Sequence, residues 1–431
     1  MQSEITGETR AWPATALDAV ITGAIAAIFL GSFLTYAVET TSAALQAVPI
    51  IWMGALAVCG TIGLLHQAAR GHKTNAHTLT QPHAFLALVV VPALGLFGAA
   101  FSEDDYSIRY GVLLWITLLS AKAIVMAFGL RRVINAFLLS SVFSILVLAF
   151  LTWRDIASSV VEAERFNAYG FHSNLLGFIF GGFLCWQITQ AMIRKGTSSL
   201  LWLPFAAASA MIIVFASSRG SIVAVAIALI CGLGIGYYSN SQLLSGRLRL
   251  VAAGLVTMSI VGGLVFTFYL DESRIDDLGQ LVETYLAITD PYRGVDSGLT
   301  GRLDAWVDTL DLISRDQPWL IGSGYRTGGE AQLGFSIDNG YLTLLFEVGL
   351  AGTLIIVSLY VRALTIALRE CLNNRDERHY VGLGFSVFLI FVLTNNVVAR
   401  YLFGMGNPVS ILALIAIVAS REDYNQREDR C

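Results

Sequence analysis

Long apolar runs separated by short polar breaks organise this chain from residue 14 to residue 420. Each is close to the roughly 20 residues a helix needs to cross a hydrocarbon layer about 30 Å thick. They fall near 14–36, 45–66, 83–101, 109–130, 132–152, 171–193, 199–217, 220–238, 249–270, 339–361, 380–398 and 402–420. The pattern predicts an all-α, polytopic integral membrane protein with about twelve transmembrane helices. One long polar excursion interrupts it, over 271–338. Within it, Arg302 opens an amphipathic stretch. Leu303, Trp306, Val307 and Leu310 recur there at helical spacing, with Asp304, Asp308 and Asp311 between them. Pro318 and a run of glycines (Gly322, Gly324, Gly328, Gly329) break the pattern, and Asp338-Asn339 stand where the next apolar run begins. Three parts follow: N-terminal transmembrane helices over 1–270, a large loop with short amphipathic helices over 271–338, and C-terminal transmembrane helices with a tail over 339–431.

The Lys and Arg residues near the run ends orient the bundle. With the N-terminus in the cytoplasm, one set of breaks holds Arg70 and Lys73, Arg131 and Arg132, Arg194 and Lys195, Arg247 and Arg249, then Arg369, Arg375 and Arg378. The opposite set is acidic or mixed: Glu103 to Asp105, Asp155 to Glu164, and Asp271 to Asp277. Both termini are therefore expected in the cytoplasm and the 271–338 loop outside it. Of the 431 residues, 55% are hydrophobic and 13% charged, about half the charge of a soluble domain. The net charge of −4 argues against a nucleic-acid partner. Cys59, Cys185, Cys231, Cys371 and Cys431 form no CxxC, and the six histidines form no HExxH, so neither a disulfide framework nor a metal site is expected.

The candidate chemistry lies on the outer side. Arg165, Arg219, Arg302 and Arg400 sit there against the general bias, beside Arg154, Arg293 and Arg326. An arginine at membrane depth is costly unless it is paired or faces a polar cavity, and its planar fork suits phosphate. Arg219 stands in Ser217-Ser218-Arg219-Gly220 between two runs. Either it snorkels to headgroups or it holds a diphosphate. Arg165 and Arg302 read as solvated charges or as parts of the same anion site. Asp338 is either an N-cap for the next helix or a general base at the mouth of the bundle. Glu347, inside that helix, reads as a hydrogen-bond partner of a neighbouring helix or as part of a proton path. His172 and Asn174 open another run on the outer side. Lys122, near the cytoplasmic side, reads as a snorkelling lysine.

Five short motifs now stand in order on one side of the membrane. Arg165 precedes His172-Ser173-Asn174, and Ser218-Arg219-Gly220 follows between two runs. Gly301-Arg302-x3-Trp306 and Pro318-Trp319-Leu320-Ile321-Gly322-Ser323-Gly324 lie in the loop. Asn339-Gly340-Tyr341-Leu342-x4-Glu347-x-Gly349-Leu350-x-Gly352 opens the next helix. Over roughly 160–420 the chain resembles the O-antigen ligase and Wzy-type polymerase superfamily of bacterial envelope glycan assembly. The resemblance implies a membrane glycosyltransferase of the GT-C type in the bacterial inner membrane, working at the periplasmic face without metal or cofactor. It implies an undecaprenyl-diphosphate-linked glycan donor, a glycan acceptor, membrane lipid and chain-length or export proteins as partners. Site residues implied are Asp338 and Arg302 as catalytic, with Arg165, His172, Asn174, Arg219, Asn339, Tyr341, Glu347 and Arg400 binding substrate. Related ligases place a histidine where this chain has Asp338, a departure that favours polymerase over lipid A ligase. The readings in play are polymerisation of lipid-linked repeat units, ligation of glycan to lipid or protein, and transport of lipid-linked glycan. A transporter is expected to show broken helices or repeat symmetry about the midplane.

Overall fold

The computed structural model describes residues 11–37, 48–69, 82–94, 97, 105–162, 172–193, 196–239, 302–315, 319–328, 333–373 and 377–424. The expected run at 249–270, Arg165, Arg293 and the loop up to 301 lie outside the described residues. Among the described residues every regular element is helical. In chain order these are α1 (Ala11–Ala37), α2 (Val48–Ala69), α3 (Pro82–Leu94), α4 (Asp105–Phe128), α5 (Leu130–Glu162) and α6 (Ser173–Ile193). After a 3-10 segment at Gly196–Trp202 come α7 (Leu203–Phe215), α8 (Arg219–Ser239), α9 (Arg302–Arg315), α10 (Gly340–Asn373), α11 (Glu377–Asn395) and α12 (Pro408–Val418). All but α9 answer to apolar runs. By length and composition α4, α5, α6, α8 and α10 can each cross a membrane.

Breaks explain the differences from the apolar pattern. α4 and α5 are separated by a single residue, Gly129, whose φ of 78° is open to glycine at little cost. The run expected over 402–420 becomes helix only at Pro408, where the Asn407 side chain accepts the Ser410 N–H and proline takes the first helical position. The 34-residue α10 would extend roughly 51 Å if straight, well beyond a hydrocarbon core. It is not continuous: Gly349, at φ 67° and ψ −176°, divides it. The part from Leu350 to Asn373, roughly 36 Å, is enough for one span.

α6 and α12 form the centre. The α6 sequence is apolar on every side, as a helix wrapped by others requires, and almost all of it is buried. Its glycines admit close neighbours: Gly181 meets Phe391 of α11, and Gly182 meets Val409 of α12. Small residues at helix contacts are the usual route to tight packing in a membrane, where burial from water supplies no drive. Trp186 of α6 meets Phe385 of α11 edge to face at 5.1 Å. Gln187 adds polar glue, donating to Ser141 and accepting from Ser209 at 3.1 and 2.9 Å.

At the end assigned to the cytoplasm, Lys122 does not snorkel. It is 2% exposed and pairs at 2.8 Å with Asp423, which also accepts the Ser420 N–H and hydroxyl. The carboxylate folds back from the chain beyond α12, and this partner was invisible to a reading confined to the lysine's own apolar run. Arg421 also pairs with the buried Glu370 of α10 at 2.8 Å.

Candidate functional site

At the opposite end the broken helix and the outer loop hold each other. A helix broken in an apolar bundle leaves backbone groups that lipid cannot satisfy. Residues 319–328 supply the missing partners. Ser323 and Gly324 donate their N–H groups to Phe346 O and Glu347 O at 3.0 and 2.8 Å. Leu350 and Ala351 donate to Trp319 O and Leu320 O at 2.9 and 3.2 Å. Gly322 and Gly349 are the crossing point. Both have positive φ, and a Cβ on either would fall on the other strand's backbone. Glu347 is buried, and its carboxylate takes backbone hydrogen bonds from Arg326 and Gly328. The loop, not a neighbouring helix, is thus its partner. Tyr325 plugs the loop into the bundle: its hydroxyl donates to Val91 O and its N–H to Ser107 Oγ, both at 2.8 Å. Burial, with Tyr110 and Glu347 nearby, pushes this phenol well above its ordinary pKa and keeps it a donor. Arg326 lies over the Tyr110 ring, 5.6 Å from its centroid.

α9 packs on the first part of α10 by the face that carries Trp306 and Ile313. Arg302, Trp306, Thr309 and Ile313 share the inward face, and Ile313 joins Ile337 and Phe346 in a small separate core. Leu303, Val307 and Leu310 point outward and are exposed. Trp306 decides this orientation, because its Nε1 donates to Ile337 O at 2.9 Å. The same face brings Arg302 to Asp338, with Nε 3.7 Å from Oδ2 and the two side chains 19% and 27% exposed. Ser336 donates to the other Asp338 oxygen at 2.8 Å. Asp338 is not the helix cap. Asn339 caps α10, its Oδ1 accepting Tyr341 N and Leu342 N at 3.0 and 3.1 Å. The Asp338 carboxylate is therefore turned to Arg302 and not to the helix.

Arg219 begins α8 directly after the tight turn that ends α7. Ser218 lies against Gly177 of α6, one turn into the helix that His172 and Asn174 open. His172 is exposed, its Nδ1 accepting the Asn174 N–H at 3.3 Å. Tyr341 is half-buried and ties α10 to α11 by donating to Leu393 O at 2.8 Å. Arg400 is exposed on the turn between α11 and α12. The structure thus gathers Arg219, Arg302, Asp338, Glu347, Arg400, His172 and Asn174 at one end. Asn339 and Tyr341 direct the polar groups described here into the fold. Three non-glycine residues have positive φ among the described residues: Ser217 at 51°, Arg326 at 67° and Asp338 at 39°. Such backbone is unfavourable by about 1–3 kcal/mol each and persists where the surroundings impose it. All three lie here, on or beside the charged groups.

Residues 204–357 match the family model described as O-antigen ligase. Over this segment the chain is similar to that family. No curated protein matches the chain. The matched segment runs from α7 into α10 and takes in Arg219, Arg302, Arg326, Asp338 and Glu347. His172, Asn174 and Arg400 lie outside it. Sequence reasoning missed Ser221, Asn395 and Asn396, which are buried at this same end. The one available hint was the polar triplet Thr394-Asn395-Asn396 closing an apolar run.

Proposed function

We propose that this protein polymerises undecaprenyl-diphosphate-linked repeat units of an exopolysaccharide or O-antigen at the periplasmic face of the bacterial inner membrane. The observation that carries the reading is the corner where Arg302 meets a left-handed Asp338. It lies at the same end of the bundle as the Arg219 turn. In this reading the acceptor hydroxyl oxygen attacks the donor's anomeric carbon. The bond from that carbon to the diphosphate oxygen breaks, and undecaprenyl diphosphate leaves with the bonding electrons. The hydroxyl proton passes to the Asp338 carboxylate. Arginine cations that bind the diphosphate more strongly as its charge grows lower the barrier. Arg219 and Arg302 take that role, with Arg165 and Arg400 as further contacts. In-line attack inverts the anomeric configuration. Residues 271–338 form the periplasmic loop, and both termini face the cytoplasm.

Ligation of glycan to a lipid or protein acceptor is the second reading, favoured by the family description itself. The break at Gly349 is a feature expected of transporters. It is occupied by the protein's own loop backbone at one end of the bundle, which supports the enzyme reading over transport. The test is the glycan profile of a deletion strain complemented with wild type or Arg219→Lys. Lysine keeps the charge and loses the bidentate fork. Accumulation of single lipid-linked repeats, with Arg219→Lys inserted normally but failing to restore polymer, is the expected result. Long unligated chains would instead mark a ligase, and full complementation by Arg219→Lys would remove the diphosphate role.

A further inference from the structure

The Arg219 turn and the Asp338 corner come from distant parts of the chain, and the end of α11 joins them. Asn395, 1% exposed, accepts the Ser221 hydroxyl at 2.8 Å, and Ser218 donates to that hydroxyl at 2.9 Å. Ser218 immediately precedes Arg219. Two residues farther along, Val398 packs where a Cβ on Gly220 would fall. Asn396, fully buried, faces the other way. Its backbone carbonyl accepts the N–H of Gly340, two residues after Asp338, at 2.8 Å. A Cβ on Gly340 would press on the Asn396 side chain. That side chain is itself fixed, accepting from Tyr401 N at 2.6 Å and donating to Val392 O at 2.7 Å. Tyr401 follows Arg400. One dipeptide is thus bonded to residues next to, or within two or three of, three charged groups of the candidate site.

Polar glue between helices accounts for amides in an apolar bundle. It does not account for the particular ends of these bonds, nor for Asn395 Nδ2, which is buried with no hydrogen-bond partner among the described residues. A half-satisfied buried amide is a poor way to stabilise a helix end, and an apolar side chain would do that better. We infer that Asn395, seated by Asn396, is a positioning residue. It fixes the separation of the Arg219 turn from the Asp338 corner, and with it the distance between the group that holds the leaving diphosphate and the group that takes the acceptor proton. The inference rests on the glycosyl-transfer reading above. A displacement of about 1 Å between such groups is enough to lower turnover about 100-fold.

The test uses full-length protein in nanodiscs and lipid-linked repeat units extracted from cells lacking the protein. Asn395→Ala and Ser221→Ala are each made in the wild type and in Arg219→Ala, and melting temperature is recorded for all. Each single variant is expected to lower turnover about 10- to 100-fold. The Asn395→Ala/Ser221→Ala pair should be no slower than the worse single, since one bond is removed twice. In Arg219→Ala, read over long incubations, neither should slow the reaction further, because the residue acts through Arg219. Equal fold losses in both backgrounds, or wild-type turnover of Asn395→Ala, would overturn the inference and leave the glycosyl-transfer reading standing. Ser221→Ala carries the same test should Asn395→Ala fold poorly. Wild-type turnover of Arg219→Ala alone would overturn the diphosphate role, and this inference with it, by a separate observation.

Discussion

Replacing Asp338 by asparagine separates its chemistry from its place in the fold. In the structure Oδ1 accepts from Ser336, and Oδ2 lies 3.7 Å from Arg302 Nε with both side chains partly exposed. Asparagine keeps an acceptor for Ser336. It also tolerates positive φ about as readily as aspartate, so the 39° backbone is not strained further. The cap of α10 belongs to Asn339 and is untouched. What disappears is an attraction between partly exposed charges beyond hydrogen-bond range, worth less than about 1 kcal/mol. Loss of a general base slows a reaction about 10²- to 10⁴-fold, or roughly 3–5 kcal/mol of barrier. The two effects differ enough to be read apart. Elongation of lipid-linked repeats by purified protein in nanodiscs should fall by at least 100-fold, with melting temperature and undecaprenyl diphosphate binding nearly unchanged. Turnover near the wild-type rate would show that Asp338 is not the base. Asp338→His, the residue found here in related ligases, should recover part of the rate.

Gly349→Ala puts a Cβ onto the Leu320 backbone at a dihedral pair reserved for glycine; it should cost more than about 3 kcal/mol and expose residues 319–328 to protease, and an unaltered cleavage pattern would refute the docking. Lys122→Met strands Asp423 in the bundle and should destabilise by about 3–5 kcal/mol, whereas Lys122→Met with Asp423→Leu should recover most of it; a double variant no more stable than the single would show that packing, not the stranded charge, sets the loss. Reporter fusions at residues 280 and 425 should give opposite signals, the first periplasmic; matching signals would overturn the assigned sides.

The helices were legible because a bilayer imposes one length and one composition on whatever crosses it. The Lys and Arg positions assign a side to each break, and the reporter fusions test that assignment. The helix ends were less legible. Where apolar sequence continues past the helix, as at 402–407, hydropathy cannot see that Asn407 and Pro408 start it. The amphipathic stretch of α9 was legible, but its inward face was not, since the indole N–H of Trp306 finds a carbonyl acceptor in Ile337 that no local pattern shows. Lys122 and Asp423 lie 301 residues apart, and no local pattern pairs them. In the candidate site the charged residues were visible as anomalies in an apolar chain. Asn395, Asn396 and Ser221 were not, since uncharged polar residues at helix ends are common and only their bonds distinguish them.

The break in α10 also bears on when the site is formed. A continuous helix satisfies its own backbone in lipid or protein alike, and needs no loop. Once Gly349 leaves the helical region, the carbonyls of Phe346 and Glu347 and the N–H groups of Leu350 and Ala351 need partners from elsewhere. The Trp319–Gly324 backbone provides all four, and Glu347 then holds the following turn through Arg326 and Gly328. Undocking the loop would leave several unpaired groups at once, each costing about 1–3 kcal/mol where water is absent. Docking is therefore a condition of the fold and does not wait for a substrate. Arg326 inherits its left-handed backbone from this docking, and Asp338 stands just before α10, on which the loop is seated. On the proposed glycosyl-transfer reading, the backbone that carries Arg326 and Asp338 is set by this docking before a donor arrives, which reduces the entropy of aligning the lipid-linked sugars with it.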